Sequence, residues 1–215
     1  MARDTQRRRA ELRERLVDIA ESQVRAEGSA SLRARALAED AGCAVGAIYN
    51  VFTDMPGLQL AVNGRTFARL GLRVTEAVAQ HADAPPVERL ILMAKAYLAF
   101  ASDDPNLWRA LFEVEMTAES DVPEWYLKDL NALFAIIAAP LAEIDPHTSP
   151  DEIDLRTRAL FSSVHGIILL GLERRISGVP MSRMEAMIEY VLRSFADRAS
   201  WSPPERRREP EGSPS

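Results

Sequence analysis

The chain has a single cysteine, Cys43, in 215 residues. One thiol closes no internal disulfide, so the fold must be held by its core, and the composition fits a reducing cytoplasm. No run of 18 apolar residues is present, which argues against a transmembrane helix and a membrane role. The opening MARDTQRRRAELRERL has arginines with no apolar segment behind them, so it does not read as a secretory signal. Histidine is scarce. His81, His147 and His165 are scattered without metal-ligand spacing, so no metal and no other cofactor is expected. No catalytic constellation stands out either, nor any internal repeat or strand signal. What is present is a 47% apolar chain whose apolar residues recur at helical spacing, so an all-α fold of about nine helices is expected.

The net charge of −6 argues against nucleic acid only until it is divided. Residues 1–69 carry 11 basic against 9 acidic side chains, a balance of +2, and the remainder carries −8. The acidity lies beyond the N-terminal part. Arg7, Arg8 and Arg9 could reach phosphates or a minor groove; a solvated, frayed terminus is the plainer reading of any one of them.

Residues 31–58, SLRARALAEDAGCAVGAIYNVFTDMPGL, carry the most information. Leu32, Ala36 and Leu37 recur at helical spacing. Gly42 stops that helix, because glycine takes a left-handed C-terminal position without penalty. After a short turn through Cys43, a second apolar set follows in Val45, Ile48, Tyr49 and Phe52, which reads as the core face of a second short helix. Its other face offers Ala44, Gly46, Ala47 and Asn50. Two short helices joined by a glycine-opened turn make a helix-turn-helix, and a small uncharged face suits entry into a DNA major groove. A tight helical hairpin packed inside an all-helical protein has the same spacing. Cys43 reads as a small buried hydrophobe rather than a redox sensor.

The pattern Leu37-Ala38, Ala41-Gly42, Gly46, Ile48-Tyr49, Phe52 and Leu58 resembles the DNA-binding signature of the TetR/AcrR family of bacterial transcriptional regulators. The resemblance covers about the first quarter of the chain. It implies that residues matching Ala44, Val45, Gly46, Ala47 and Asn50 face bases. It also implies that Tyr49 and the start of the next helix hold phosphates, with Arg33 and Thr53 at the edges of the same surface. The chain departs from the family in two places. Ala44 stands where serine or threonine usually caps the recognition helix. Phe52-Thr53-Asp54-Met55-Pro56 lacks the usual phosphate-binding lysine, which predicts a shallower salt dependence of DNA binding. Arg33, where threonine is frequent, partly compensates.

The first helix is expected over about 6–27, ended by Gly28. The helix after the motif should start at Pro56, capped by Thr53 or Asp54, and run to about His81. A fifth helix spans about Val87–Ala101. Ser102-Asp103-Asp104-Pro105 should cap a sixth, extending through Leu107, Trp108 and Phe112 to Met116. A seventh spans Glu124–Ile144, where Pro140 should kink it or end it early. An eighth runs from Asp151 to about Ile176, and Gly178 and Pro180 separate it from a ninth carrying Met181, Met184, Met187, Ile188 and Phe195. This divides the chain into a head (1–55), a larger helical domain (56–200) and a disordered tail (201–215).

The last two helices are too apolar for surface helices. They suit a homodimer through Leu160–Leu172 and Met184–Phe195, as the family resemblance also implies. Residues 97–112 and 160–166 are similar to the C-terminal domain of one TetR subgroup marked by Trp-x-x-x-His-Gly; here Phe161 replaces the tryptophan and His165-Gly166 stands. Candidate effector-binding residues are Met93, Tyr97, Phe100, Trp108, Phe112, Trp125, Phe134 and His165. Aromatics at helical spacing also make ordinary cores, and His165 could be a satisfied core histidine. The implied function is a homodimeric repressor of a palindromic double-stranded DNA operator, released by a small, largely apolar molecule. A dimeric adaptor with a weakened head is the alternative. A helical enzyme would need titratable groups clustered in a cleft.

Overall fold

The computed structural model describes residues 2–114, 122–173 and 179–197. The expected tail from Trp201, the acidic stretch Glu119–Asp121, Met116 and Gly178 lie outside the described residues. The described elements are α1 (Ala2–Glu27), α2 (Ala34–Asp40), α3 (Val45–Tyr49), α4 (Met55–Ala79), α5 (Pro86–Asp103), α6 (Pro105–Ala110), α7 (Glu124–Ile144), α8 (Pro150–Leu172) and α9 (Met184–Asp197). Short 3-10 turns at Ser29–Ser31 and Met181–Arg183 lead into α2 and α9. No described helix is long and apolar enough to cross a membrane.

Two apolar clusters organise these helices. The first joins Leu16, Val17, Ala20 and Val24 of α1 to Leu37, Ala38, Ile48 and Phe52 of the helix pair. It also takes in Leu58, Ala61 and Val62 of α4, and Leu107 and Ala110 of α6. The second is larger and is built from α4 to α9, with Trp108 and Ile168 fully buried in it. Helix α4 belongs to both. Polar contacts tie α1 to its neighbours at several heights. Arg65 of α4 reaches Asp18 and, at 2.6 Å, Glu14, while Arg69 pairs with Glu21. Farther along α1, Arg25 bonds Asp104 at 2.8 Å and Asn106 donates to the Arg25 carbonyl at 3.0 Å.

The turn between α2 and α3 follows from one glycine. Gly42 has φ 63°, the left-handed region that a side chain would strain. The amide of Cys43 then donates back to the Ala38 carbonyl at 2.9 Å, closing the end of α2. At α4 the cap is Asp54, whose carboxylate accepts from the Gly57 amide at 2.8 Å; Pro56 sits inside that first turn. The other close approach is between α8 and α9. A Cβ placed on Gly171 would stand 2.1 Å from the Met184 sulfur.

Several sequence expectations need correction. Helix α1 begins at Ala2, four residues early. Helix α6 ends at Ala110 instead of continuing past Phe112. Asp104 occupies its N-cap position without capping it, because its carboxylate is taken by Arg25. Pro140 does not end α7, which continues to Ile144. Only four residues follow the proline, so the loss of one backbone donor is not compounded by a long continuation. Helix α8 closes at Leu172, with Glu173 at its C-cap.

Candidate functional site

The structure presents two candidate surfaces, one on the head and one inside the larger helical body. On the head, α3 is only five residues long. Its position is set by Ile48, fully buried, and Phe52, 6% exposed, which fix it to the head core. Val45 and Tyr49, read from the sequence as part of that core face, are instead 39% and 50% exposed. Two anchors suffice for so short a helix, and the remaining residues turn outward. Ala44, Gly46, Asn50 and Thr53 are exposed and Ala47 is half-buried. Ala44 holds the N-cap position in extended conformation with no side-chain cap. Ala44, Val45, Gly46, Ala47 and Asn50 therefore offer a surface of small and uncharged side chains beside the phenol of Tyr49. Arg33 is exposed beside α2, and its guanidinium donates to the Ala30 and Leu32 carbonyls at 2.7 and 2.9 Å. At the chain's start, Arg7 pairs with Asp4 and Glu11, and Arg8 with Asp4.

Inside the body, α4, α5, α7, α8 and α9 enclose a cavity of about 360 Å³. Four of the candidate effector residues line it: Met93, Tyr97, Phe112 and Phe134. Four do not. Phe100 is buried in the core, and Trp125 is 43% exposed with its ring over Gly64. Trp108 and His165 stand behind Tyr97. The indole Nε1 donates to the Tyr97 hydroxyl at 2.8 Å, and that hydroxyl lies 2.9 Å from His165 Nδ1. Indole N–H only donates, so the Tyr97 oxygen accepts from Trp108 and shares a second hydrogen bond with His165.

Most of the residues that the sequence pattern did not single out come from three helices, with Leu90 and Ala94 of α5, Leu111, and Leu192 of α9 completing the wall. Helix α4 supplies Phe67, Leu70 and Val74; α7 supplies Leu130, Leu133, Ile136 and Ile137; α8 supplies Leu160, Phe161, Val164 and Arg158. The helical spacing of the apolar ones was visible, but a face lining a cavity and a face filling a core have the same periodicity. Nearly all of the wall is apolar. Burial pushes the phenols of Tyr97 and Tyr126 up, so both stay protonated. Among the described residues no cluster of three or more His, Cys, Asp or Glu is placed to hold a metal ion.

Burial also pushes His165 below its ordinary 6.5. The folded chain then takes up this proton less readily than the unfolded chain. Stability is unaffected by the group above that value and is lost as pH falls below it, until the folded-state pKa has been passed. Lowering the pH from about 7.5 to about 5 should therefore reduce Tm more in the wild type than in His165→Gln, measured by thermal circular dichroism. Parallel profiles would show that His165 carries none of the acid sensitivity.

Residues 90–195 match the tetracyclin repressor-like C-terminal domain. A sequence comparison with curated proteins finds no match. Solved structures of similar fold include RolR in complex with resorcinol, at 18% identity and TM-score 0.66, covering 93% of this chain and 98% of that one. A TetR-family transcriptional regulator from Streptomyces coelicolor has 18% identity and TM-score 0.61, covering 87% and 80%. The regulator FadR from Bacillus subtilis in complex with stearoyl-CoA has 15% identity and TM-score 0.64, covering 83% and 97%.

Proposed function

We propose that this chain, which belongs to the TetR family, is a homodimeric repressor that binds a palindromic operator and releases it when a small, largely apolar molecule enters the α4–α9 cavity. The observation that carries this reading is the double membership of α4. Phe67, Leu70 and Val74 wall the cavity, while Leu58, Ala61 and Val62 of the same helix lie in the head core. A helix rises about 1.5 Å per residue, so one rigid element links the two over roughly 24 Å. A ligand that prefers one tilt of α4 shifts the spacing of the two heads by its differential affinity for the two states. RolR and FadR, solved with resorcinol and with stearoyl-CoA, fit the idea of an interior ligand.

The dimer is supported by the outer face of α8 and α9. Leu155, Leu170, Met187 and Tyr190 are 50, 42, 36 and 74% exposed, and the small exposed Ala159, Ser162 and Ser163 lie between the two leucines on α8. Packing this face against its symmetry mate would bury it in a four-helix bundle. The α3 surface would then be presented twice, as a palindromic site requires. The proposed base-facing residues are Ala44, Val45, Gly46, Ala47 and Asn50, with Tyr49, Arg33 and Thr53 on phosphates.

Selection from a random DNA pool, followed by titration against salt, tests the reading. A palindromic site should be enriched, with a shallow salt slope because α3 and its flanks present few cations. Tyr49→Ala should weaken the selected site by about 1–2 kcal/mol while leaving the chain a folded dimer. No enrichment, with binding that is weak and purely salt-driven, would favour the adaptor reading, to which the uncapped, uncharged α3 also points.

A further inference from the structure

Among the described residues that line the cavity, Arg158 alone is charged. It sits at the α8 wall with its guanidinium 5.0 Å from the centre of the Phe134 ring. Its Nε donates to Asp154 at 2.8 Å. Its two terminal nitrogens have no hydrogen-bond partner among the described residues. The other polar groups of the wall are already engaged or enclosed. The Tyr97 hydroxyl is used by Trp108 and His165, and the Tyr126 phenol is buried beside Asn63. A ligand lying in this cavity therefore meets apolar surface on nearly every side and one outlet for hydrogen bonding. That outlet is cationic and planar and lies over an aromatic ring, with its free edge carrying N–H donors.

We propose that the effector is an amphipathic acid, an apolar body ending in a single carboxylate that pairs with the free edge of Arg158. This rests on the ligand-cavity reading above and specifies the chemistry of that same site. A carboxylate matches the guanidinium fork in shape and charge, whereas a hydroxyl or amide uses only one arm of it. Phe134 holds the fork in place, so little side-chain freedom is lost on binding. Asp154 plays a second part. It leaves the Arg158 charge half-compensated in the empty protein, so the site is poised for an anion without a bare cation over an aromatic ring. Arg158 is 53% exposed at its side chain, which puts the head group at the cavity mouth, in contact with water. The gain from pairing is moderated there by solvent.

The test uses the full chain and a matched pair of probes, decanoate and decan-1-ol, titrated by calorimetry near neutral pH. Decanoate should bind about tenfold tighter than the alcohol, the effect of one charge-assisted pair at a half-exposed site. Arg158→Met keeps an apolar stem over Phe134, and should bring the two affinities together, with most of the loss falling on decanoate. Asp154→Asn removes the competing carboxylate and should tighten decanoate a few-fold without affecting decan-1-ol. Equal binding of acid and alcohol to the wild type, or a preference that survives Arg158→Met, would overturn the proposal and leave the apolar cavity standing. If neither probe binds, the ligand-cavity reading falls and this proposal with it.

Discussion

Trp108→Ala should destabilise the folded chain by about 3–5 kcal/mol, the range for removing a fully buried large aromatic side chain. For a chain of this size, that is a fall in Tm on the order of 10 °C. Trp108 is 0% exposed, and the T-shaped and tilted contacts around it join Tyr97, Phe112 and His165. The loss has a second part. Helix α6 is six residues long, with Trp108 in the body core and its neighbours Leu107 and Ala110 in the head core. So short a helix has little stability of its own; the indole on one side and the two apolar residues on the other hold it. Asn63, fully buried on α4, donates to the Ala110 carbonyl at 2.8 Å, so a loosened α6 also strips α4 of a hydrogen bond. Trp125→Ala is the control, since the residue is 43% exposed and its removal should cost about 1 kcal/mol. Thermal unfolding at one fixed protomer concentration decides the matter, because the Tm of any chain that self-associates depends on concentration. Similar losses for the two tryptophans would mean that α6 is not the joint between the cores.

The parts of this architecture that were legible in sequence are those fixed by local chemistry. Glycine at 42, the apolar spacing of Ile48 and Phe52, and the prolines and acids bounding α7 and α8 set helix ends wherever the chain sits. What could not be read depends on neighbours distant in sequence. On a helix of one and a half turns, Val45, Ile48, Tyr49 and the following Phe52 all fall within reach of one face; only the head core assembled from α1, α2, α4 and α6 decides that Ile48 and Phe52 go inward. Asp104 has the chemistry of an N-cap, but Arg25, far back in the chain, competes for its carboxylate and wins. The cavity was the least legible feature. Phe67, Leu70 and Val74 form an apolar stripe identical to one that packs solidly, and emptiness is a property of five helices together. Arg158, four residues after Asp154, reads as half of a surface helix pair; its place on Phe134 and at a cavity mouth exists only in the assembled body.

Filling that cavity should abolish the response to effector outright. Ala94→Trp is the substitution to make. Ala94 is 7% exposed on α5 and lines the cavity, so an indole there projects into empty space instead of into packed neighbours. Overpacking ordinarily costs about 1–3 kcal/mol; here the new contacts with the wall offset much of that, and Tm should change little. Binding of both decanoate and decan-1-ol should be lost, since the apolar volume is needed by each. Operator affinity in the absence of ligand then reports which state the filled cavity resembles. If α4 senses only whether the volume is occupied, the indole acts as a permanent effector and the variant binds DNA weakly. If α4 instead responds to contacts at the Arg158 mouth, the variant binds DNA as the wild type does and ignores every ligand. The positions of Phe67, Leu70 and Val74 along α4, all deep in the wall and none at Arg158, favour the first outcome. In both cases sensitivity is gone, because a ligand that binds neither state cannot shift their ratio. A variant that still releases operator at the wild-type ligand concentration would place the effector elsewhere and would break the link from cavity through α4 to the head.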